Sequence, residues 1–228
     1  MIRKAIIFGV KGYYLTKKEK KLFKKKKPWG VILFSRNIKT INQAKQLVNQ
    51  IKNILKDKNF PILIDQEGGR VCRLNNIIDL SLFSQNFFTD LYKKNRFLFP
   101  SIYKIYVDKV SEILRTIGVN INTVPVLDIR RKRGHNIIGT RSFSENRKEV
   151  SILGNICINL FKKNKIGTVV KHIPGHGLSK SDSHLATPTI FSNKKQLIKN
   201  DFKPFRICKS FFAMTAHIIY RDYDSVNT

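Results

Sequence analysis

The sequence predicts an α/β fold of the closed parallel (β/α)8 type, C-terminally truncated to about six β/α units. Three observations carry this expectation. Short apolar runs alternate with longer amphipathic ones, the pattern of parallel strands joined by helical crossovers. Loops dense in polar and titratable residues follow several different runs, each at the carboxyl end, as on the upper face of such a barrel. No GxGxxG or GxxxxGK[ST] occurs, so the competing open doubly wound sheet lacks its usual nucleotide-binding signature. A barrel normally takes about 250 residues and eight strands. At 228 residues, with strand-like runs that stop short of eight, one incomplete barrel domain over residues 1–228 is expected.

The strand-like runs, in order, are Ala5–Val10, Gly30–Ser35, Pro61–Asp65, Ile121–Leu127, Thr168–Lys171 and Phe211–Ala216. Between the second and third, Ile41–Lys56 predicts a helix. Its Ile41, Ala44, Leu47, Val48, Ile51, Ile54 and Leu55 fall on one face, and Thr40 is a suitable N-cap. The aromatic-rich stretch Leu80–Pro100 predicts no regular element. Ile102–Ile117 repeats the helical pattern and ends at Gly118, which suits a left-handed C-terminal cap. Glu149–Lys163 and Gln196–Lys209 carry weaker helical patterns, and Pro204 should break or kink the latter.

Composition narrows the function classes. A hydrophobic content of 42% with 26% charged residues is that of a soluble globular chain. The formal net charge of +29 suits a nucleic-acid or anionic-surface binder. It equally suits the codon usage of an AT-rich genome, because lysine outnumbers arginine 31 to 13. The lysines are spread widely, with one dense run at Lys24–Lys27, and no nucleic-acid motif accompanies them. Nucleic acid is therefore not the expected partner. Cys72, Cys157 and Cys208 are odd in number and share no CxxC spacing, which favours free thiols in a reducing cytosol. The apolar run Ala5–Val10 is too short for a signal-peptide core or a membrane span. A cytoplasmic location with no membrane contact is expected.

The chemistry concentrates after two of the runs. Lys171-His172-Ile173-Pro174-Gly175-His176-Gly177, followed by Asp182-Ser183-His184, is too broken by Pro and Gly to be a helix, and so forms a loop leaving a strand. Asp182 beside His184 would fix the imidazole tautomer and favour its protonated form, as a general acid and later base requires. The same pair could instead cap the loop. His172 and His176 stand at i,i+4, but Pro174-Gly175 argues against the helix that spacing needs for a metal, and Lys171 would put a cation beside it. No metal or cofactor is expected; Lys171 and His172 are read as hydrogen-bond donors to a polar ligand. The second cluster, Asp65-Gln66-Glu67-Gly68-Gly69-Arg70, lets the chain turn sharply after Asp65. Asp65 could accept two sugar hydroxyls or cap the turn. Arg70, Arg73 and Arg141 suit polar substrate groups or loop bracing. Of only 15 acids, Asp65, Glu67, Asp128 and Asp182 fall at or just beyond strand ends.

Taken together, Gly30–Asn37, Asp65–Val71, Pro125–Asp128, Gly139–Phe143, Lys171–Gly177 with Asp182-Ser183-His184, and Ala216–Tyr220 resemble glycoside hydrolase family 3. The closest likeness is to its bacterial cytoplasmic β-N-acetylglucosaminidases (β-N-acetylhexosaminidases). The resemblance covers nearly the whole chain. It implies a TIM barrel that removes terminal β-linked N-acetylglucosamine from muropeptide or anhydromuropeptide fragments in cell-wall recycling, with retention and through a glycosyl-enzyme intermediate. By motif match His184 would be the acid/base, Asp182 its partner, and Asp65, Arg73, Arg141, Lys171 and His172 sugar ligands. The family's nucleophile, an Asp in a Ser-Asp-Asp-Leu-like motif at the end of the next strand, has no match up to Thr228. The resemblance therefore implies a piece of a longer or split gene, an inactive carbohydrate-binding remnant, or an enzyme completed by a C-terminal fragment.

Overall fold

A computed structural model describes residues 2–131, 136–179, 181, 187–224 and 226. Its framework is a six-stranded sheet, every neighbouring pair parallel: β1 (Lys4–Gly9), β2 (Pro28–Leu33), β3 (Ile62–Ile64), β4 (Ile121–Asn122), β5 (Gly167–Ile173) and β7 (Phe212–Thr215), in that spatial order. Helices fill the crossovers: α1 (Lys17–Lys26), α2 (Ile41–Leu55), α3 (Gln85–Lys94), α4 (Phe99–Ile117), α5 (Arg147–Lys163), α6 (Lys194–Lys199) and α7 (Lys203–Ile207). A separate parallel pair, β6 (Thr189–Ile190) with β8 (Ile219–Tyr220), ties the chain before α6 to the chain after β7.

The sheet curls. Neighbouring strands lie about 4.8 Å apart, so in a flat sheet β2 and β7, separated by three strands, would stand nearly 20 Å apart. Instead Trp29 of β2 and Phe212 of β7 meet edge to face with ring centroids 5.4 Å apart. The interior they close holds Leu63, Ile121 and Val169, with Ile32 and Met214 packed against them. The strands alternate. Ile62, Ile64 and Val170 face outward into the main core, where Leu47, Val48 and Ile51 of α2, Val110 and Leu114 of α4, and Leu153 and Phe161 of α5 cover the sheet. The fold is thus an α/β half-barrel, and its outermost strands are β1 and β7. Ile6 and Ile7 of β1 and Phe211 beside β7 are exposed.

The local signals explain most elements. Thr40 accepts from the Gln43 N–H and caps α2, and Gly118 closes α4 at φ +97°. The structure corrects several boundaries. The fourth run keeps only Ile121–Asn122 as strand, with Val126 bridging back to Lys171. The fifth extends through Ile173, so His172 lies on the strand rather than in the loop. The Gln196–Lys209 pattern is two short helices, broken at Asn200–Phe202 instead of at Pro204, which sits in the first turn of α7 where its missing N–H costs nothing. α3 lies inside the stretch that predicted no element, and α1, β6 and β8 were not foreseen.

Candidate active site

The strand alternation builds the site. Two residues beyond the inward-facing Leu63, Ile121 and Val169 come Asp65, Thr123 and Lys171, so a polar layer sits directly on the apolar one. Lys171 Nζ lies 2.6 Å from Asp65 Oδ1 and 3.1 Å from Thr123 Oγ1, and Thr123 also donates to Asp65. Lys171 is almost wholly buried, which is tolerable only for an ammonium held by counter-charges. Its second counter-charge is Glu67, whose Oε1 is 2.6 Å from Nζ. Glu67 in turn takes a two-pronged contact from Arg141, Nε to Oε2 at 2.8 Å and Nη2 to Oε1 at 2.9 Å. Arg73 stands 3.8 Å from Asp65 and over the Phe34 ring.

The turn Gln66–Arg73 is folded by its own side chains. Gln66 Oε1 accepts from the backbone N–H groups of Arg73 and Leu74, which fixes Arg73 beside the site. Gly68 adopts φ +87°, and a Cβ there would overlap the Phe83 carbonyl. Asp128, at the end of the Pro125–Asp128 run, is fully buried and faces His172: its Oδ2 is 2.7 Å from His172 Nδ1. The far side of the same ring meets Arg141 Nη2 at 3.4 Å.

Electrostatics follow from these pairs. Burial alone raises the Asp65 pKa, but Lys171, the Thr123 hydroxyl and Arg73 outweigh it and bring it down to about 2. Burial likewise opposes ionisation of Glu67, and Lys171 and Arg141 overcome it. Asp128 is lowered against its burial by His172 and by the His176 N–H. Burial lowers the pKa of His176. All three carboxylates are therefore ionised and engaged.

Asp65, Arg73, Arg141, Lys171 and His172 line one cleft of about 360 Å³, together with Phe34, Glu67, His176, Met214 and His217. Asp182 and His184 lie outside the described residues. Arg70 contacts the carbonyls of Asn136 and Ile137, the loop-bracing role. Sequence reasoning singled out Glu67 and Asp128 only as acids near strand ends, and passed over Thr123. The signal for Thr123 was its position two residues beyond an inward-facing apolar residue. None marked the Glu67 pairs, whose partner Arg141 is 74 residues away.

Residues 7–228 match the family model for the N-terminal domain of glycosyl hydrolase family 3. Curated relatives include a beta-hexosaminidase of Tolumonas auensis, 32% identical over 96% of this chain and 64% of its own length, and one of Haemophilus influenzae, 30% identical over 97% and 62%. Among solved structures, NagZ of Neisseria gonorrhoeae in complex with N-trifluoroacetyl-D-glucosamine superposes with a TM-score of 0.85 at 29% identity, over 97% of this chain and 66% of that one. The chain spans at most about two thirds of the length of these proteins.

Proposed function

Because the chain belongs to glycosyl hydrolase family 3, we propose that its cleft binds a terminal β-linked N-acetylglucosamine, and that the complete enzyme releases this sugar from muropeptide or anhydromuropeptide fragments in cell-wall recycling. The observation that carries this reading is the convergence of Asp65, Arg73, Arg141, Lys171 and His172 on one cleft, with Asp65 held ionised by its cationic neighbours. A carboxylate held ionised accepts hydrogen bonds from sugar hydroxyls, and the three cations donate to the sugar's oxygens. The beta-hexosaminidase names of the relatives and the glucosamine derivative bound by the gonococcal NagZ support the same sugar class.

In the proposed mechanism His184, oriented by Asp182, protonates the leaving oxygen and later deprotonates water. Retention further requires a nucleophile about 5 Å from the acid/base group. The cleft carboxylates Asp65 and Glu67 are committed to ion pairs, and Asp128 to His172. The family resemblance implies a nucleophile in a Ser-Asp-Asp-Leu-like motif that residues 1–228 do not contain, and a complementing C-terminal segment adding to the edges at β1 and β7 would supply it. The same commitments favour a second reading for residues 1–228 taken alone, a carbohydrate-binding module without turnover.

The test is to purify the 228-residue chain, titrate it with N-acetylglucosamine by calorimetry, and follow release from an aryl N-acetyl-β-glucosaminide. Binding without turnover is expected. Absence of binding would overturn the sugar site. Turnover abolished by His184→Ala would place the nucleophile within these residues.

A further inference from the structure

The two ring nitrogens of His172 face opposite chemistries. Nδ1 is 2.7 Å from Asp128 Oδ2, and an ionised carboxylate can only accept. Nε2 is 3.4 Å from Arg141 Nη2, and a guanidinium can only donate. One arrangement satisfies both contacts, the proton on Nδ1 and the lone pair on Nε2, so toward the cleft His172 accepts, where the sequence alone reads a donor. Asp128 is held too firmly to turn away. Its Oδ1 accepts from the backbone N–H of His176 at 2.6 Å and of His172 at 3.3 Å, and Ser142 Oγ donates to its carbonyl at 2.6 Å. One carboxylate thus spans the end of β5 and the loop that follows, and grips the ring between them.

We propose that Asp128 is a positioning residue that makes His172 a hydrogen-bond acceptor toward the cleft, and so tunes the cleft to a neutral polyol rather than an anion. Arg73, Arg141 and Lys171 offer only donors, and their three positive charges alone would favour phosphate, sulfate or a carboxylate. The cleft also presents acceptors: Asp65 and, with its tautomer set by Asp128, His172 Nε2, whose long 3.4 Å contact with Arg141 a sugar hydroxyl would replace. A ring bearing several hydroxyls can donate to both acceptors while its oxygens receive from the cations. A fully deprotonated anion such as sulfate, having no proton to give, faces a carboxylate and a lone pair. The selectivity rests on the reading of the cleft as a sugar site; the tautomer of His172 does not.

The experiment uses the full chain with ¹⁵N-labelled histidine at neutral pH. Long-range proton–nitrogen correlation distinguishes a protonated ring nitrogen from one carrying a lone pair, and His172→Gln identifies the His172 signals. The expected wild-type pattern is a protonated Nδ1 and a bare Nε2. In Asp128→Asn the carboxamide oxygen can still accept from the His176 N–H, which leaves the amide NH2 toward Nδ1, and the tautomer should invert. Affinity for N-acetylglucosamine should then fall about tenfold or more, the scale of one mismatched buried hydrogen bond. Inorganic sulfate should bind the wild type far more weakly than the sugar does.

A wild-type His172 protonated on Nε2, or on both nitrogens, would overturn the proposal, even if Asp128→Asn fails to fold. So would an Asp128→Asn protein that keeps both the tautomer and the affinity. Tautomer inversion in a chain that binds no sugar would uphold the positioning role and overturn the sugar reading instead.

Discussion

Glu67 shows what a single residue does here. It neutralises two cations that the sequence places far apart, and its side chain is 1% exposed. Glu67→Gln keeps the shape and removes the charge, leaving Lys171 with one carboxylate partner, Asp65, and Arg141 with none. Breaking a buried pair from one side typically costs about 3–5 kcal/mol. Denaturant unfolding should show a loss of that order; less than about 1 kcal/mol would mean the cluster does not hold the site together. Asp65 supplies a pH dependence. Its folded-state pKa of about 2 lies below the unfolded value near 3.9, so its contribution is complete above the unfolded pKa and is lost as pH falls through the folded one. Relative to Asp65→Asn, the wild type should lose about 2 kcal/mol of unfolding free energy between pH 5 and pH 1. A constant difference between the two proteins over that range would contradict the assignment.

Among the elements, the loop after β5 depends on close backbone approach. A Cβ at Gly177 would overlap the Ile129 carbonyl oxygen, whereas nothing lies within 4 Å of one at Gly12. Gly177→Ala should therefore destabilise by about 1–3 kcal/mol and weaken sugar binding, because this loop is pinned at its start by Asp128. Gly12→Ala should be near neutral in both assays. The elements that sequence reasoning recovered are those with local determinants: the apolar stripe of α2, its Thr40 cap, and Gly118 after α4. Those it missed lack an apolar stripe or length. α1 carries a reciprocal Thr16–Glu19 cap but is mostly lysine, with only Phe23 buried, α3 has a Ser84 cap inside an aromatic-rich run without clear periodicity, and β6 and β8 are two residues each. The site divides the same way. Asp65 and Lys171 stand at the ends of apolar runs and can be read there, but the partners of Glu67 and His172 exist only once strands distant in the chain become neighbours.

For the whole molecule, a net charge of +29 with dispersed lysines opposes compaction by self-repulsion. Raising sodium chloride from about 0.01 to 0.15 M shortens the screening length from roughly 30 to 8 Å. The buried cleft pairs are shielded from salt and should be little affected, so the melting temperature should rise by a few degrees as the lysines cease to repel. A fall on adding salt would mean that surface pairs outweigh the repulsion. The edges matter at this scale too: β1 and β7 leave backbone groups and apolar side chains such as Ile6, Ile7 and Phe211 open to pairing. The contact between Trp29 and Phe212 turns this architecture into its own optical gauge. Trp29 is the only tryptophan in the chain, and it sits where the two walls of the curl touch. Its fluorescence colour therefore reports the gap between them. If the walls part, the half-buried indole meets more water and its emission shifts further to the red, while circular dichroism still sees every helix on the outer face intact.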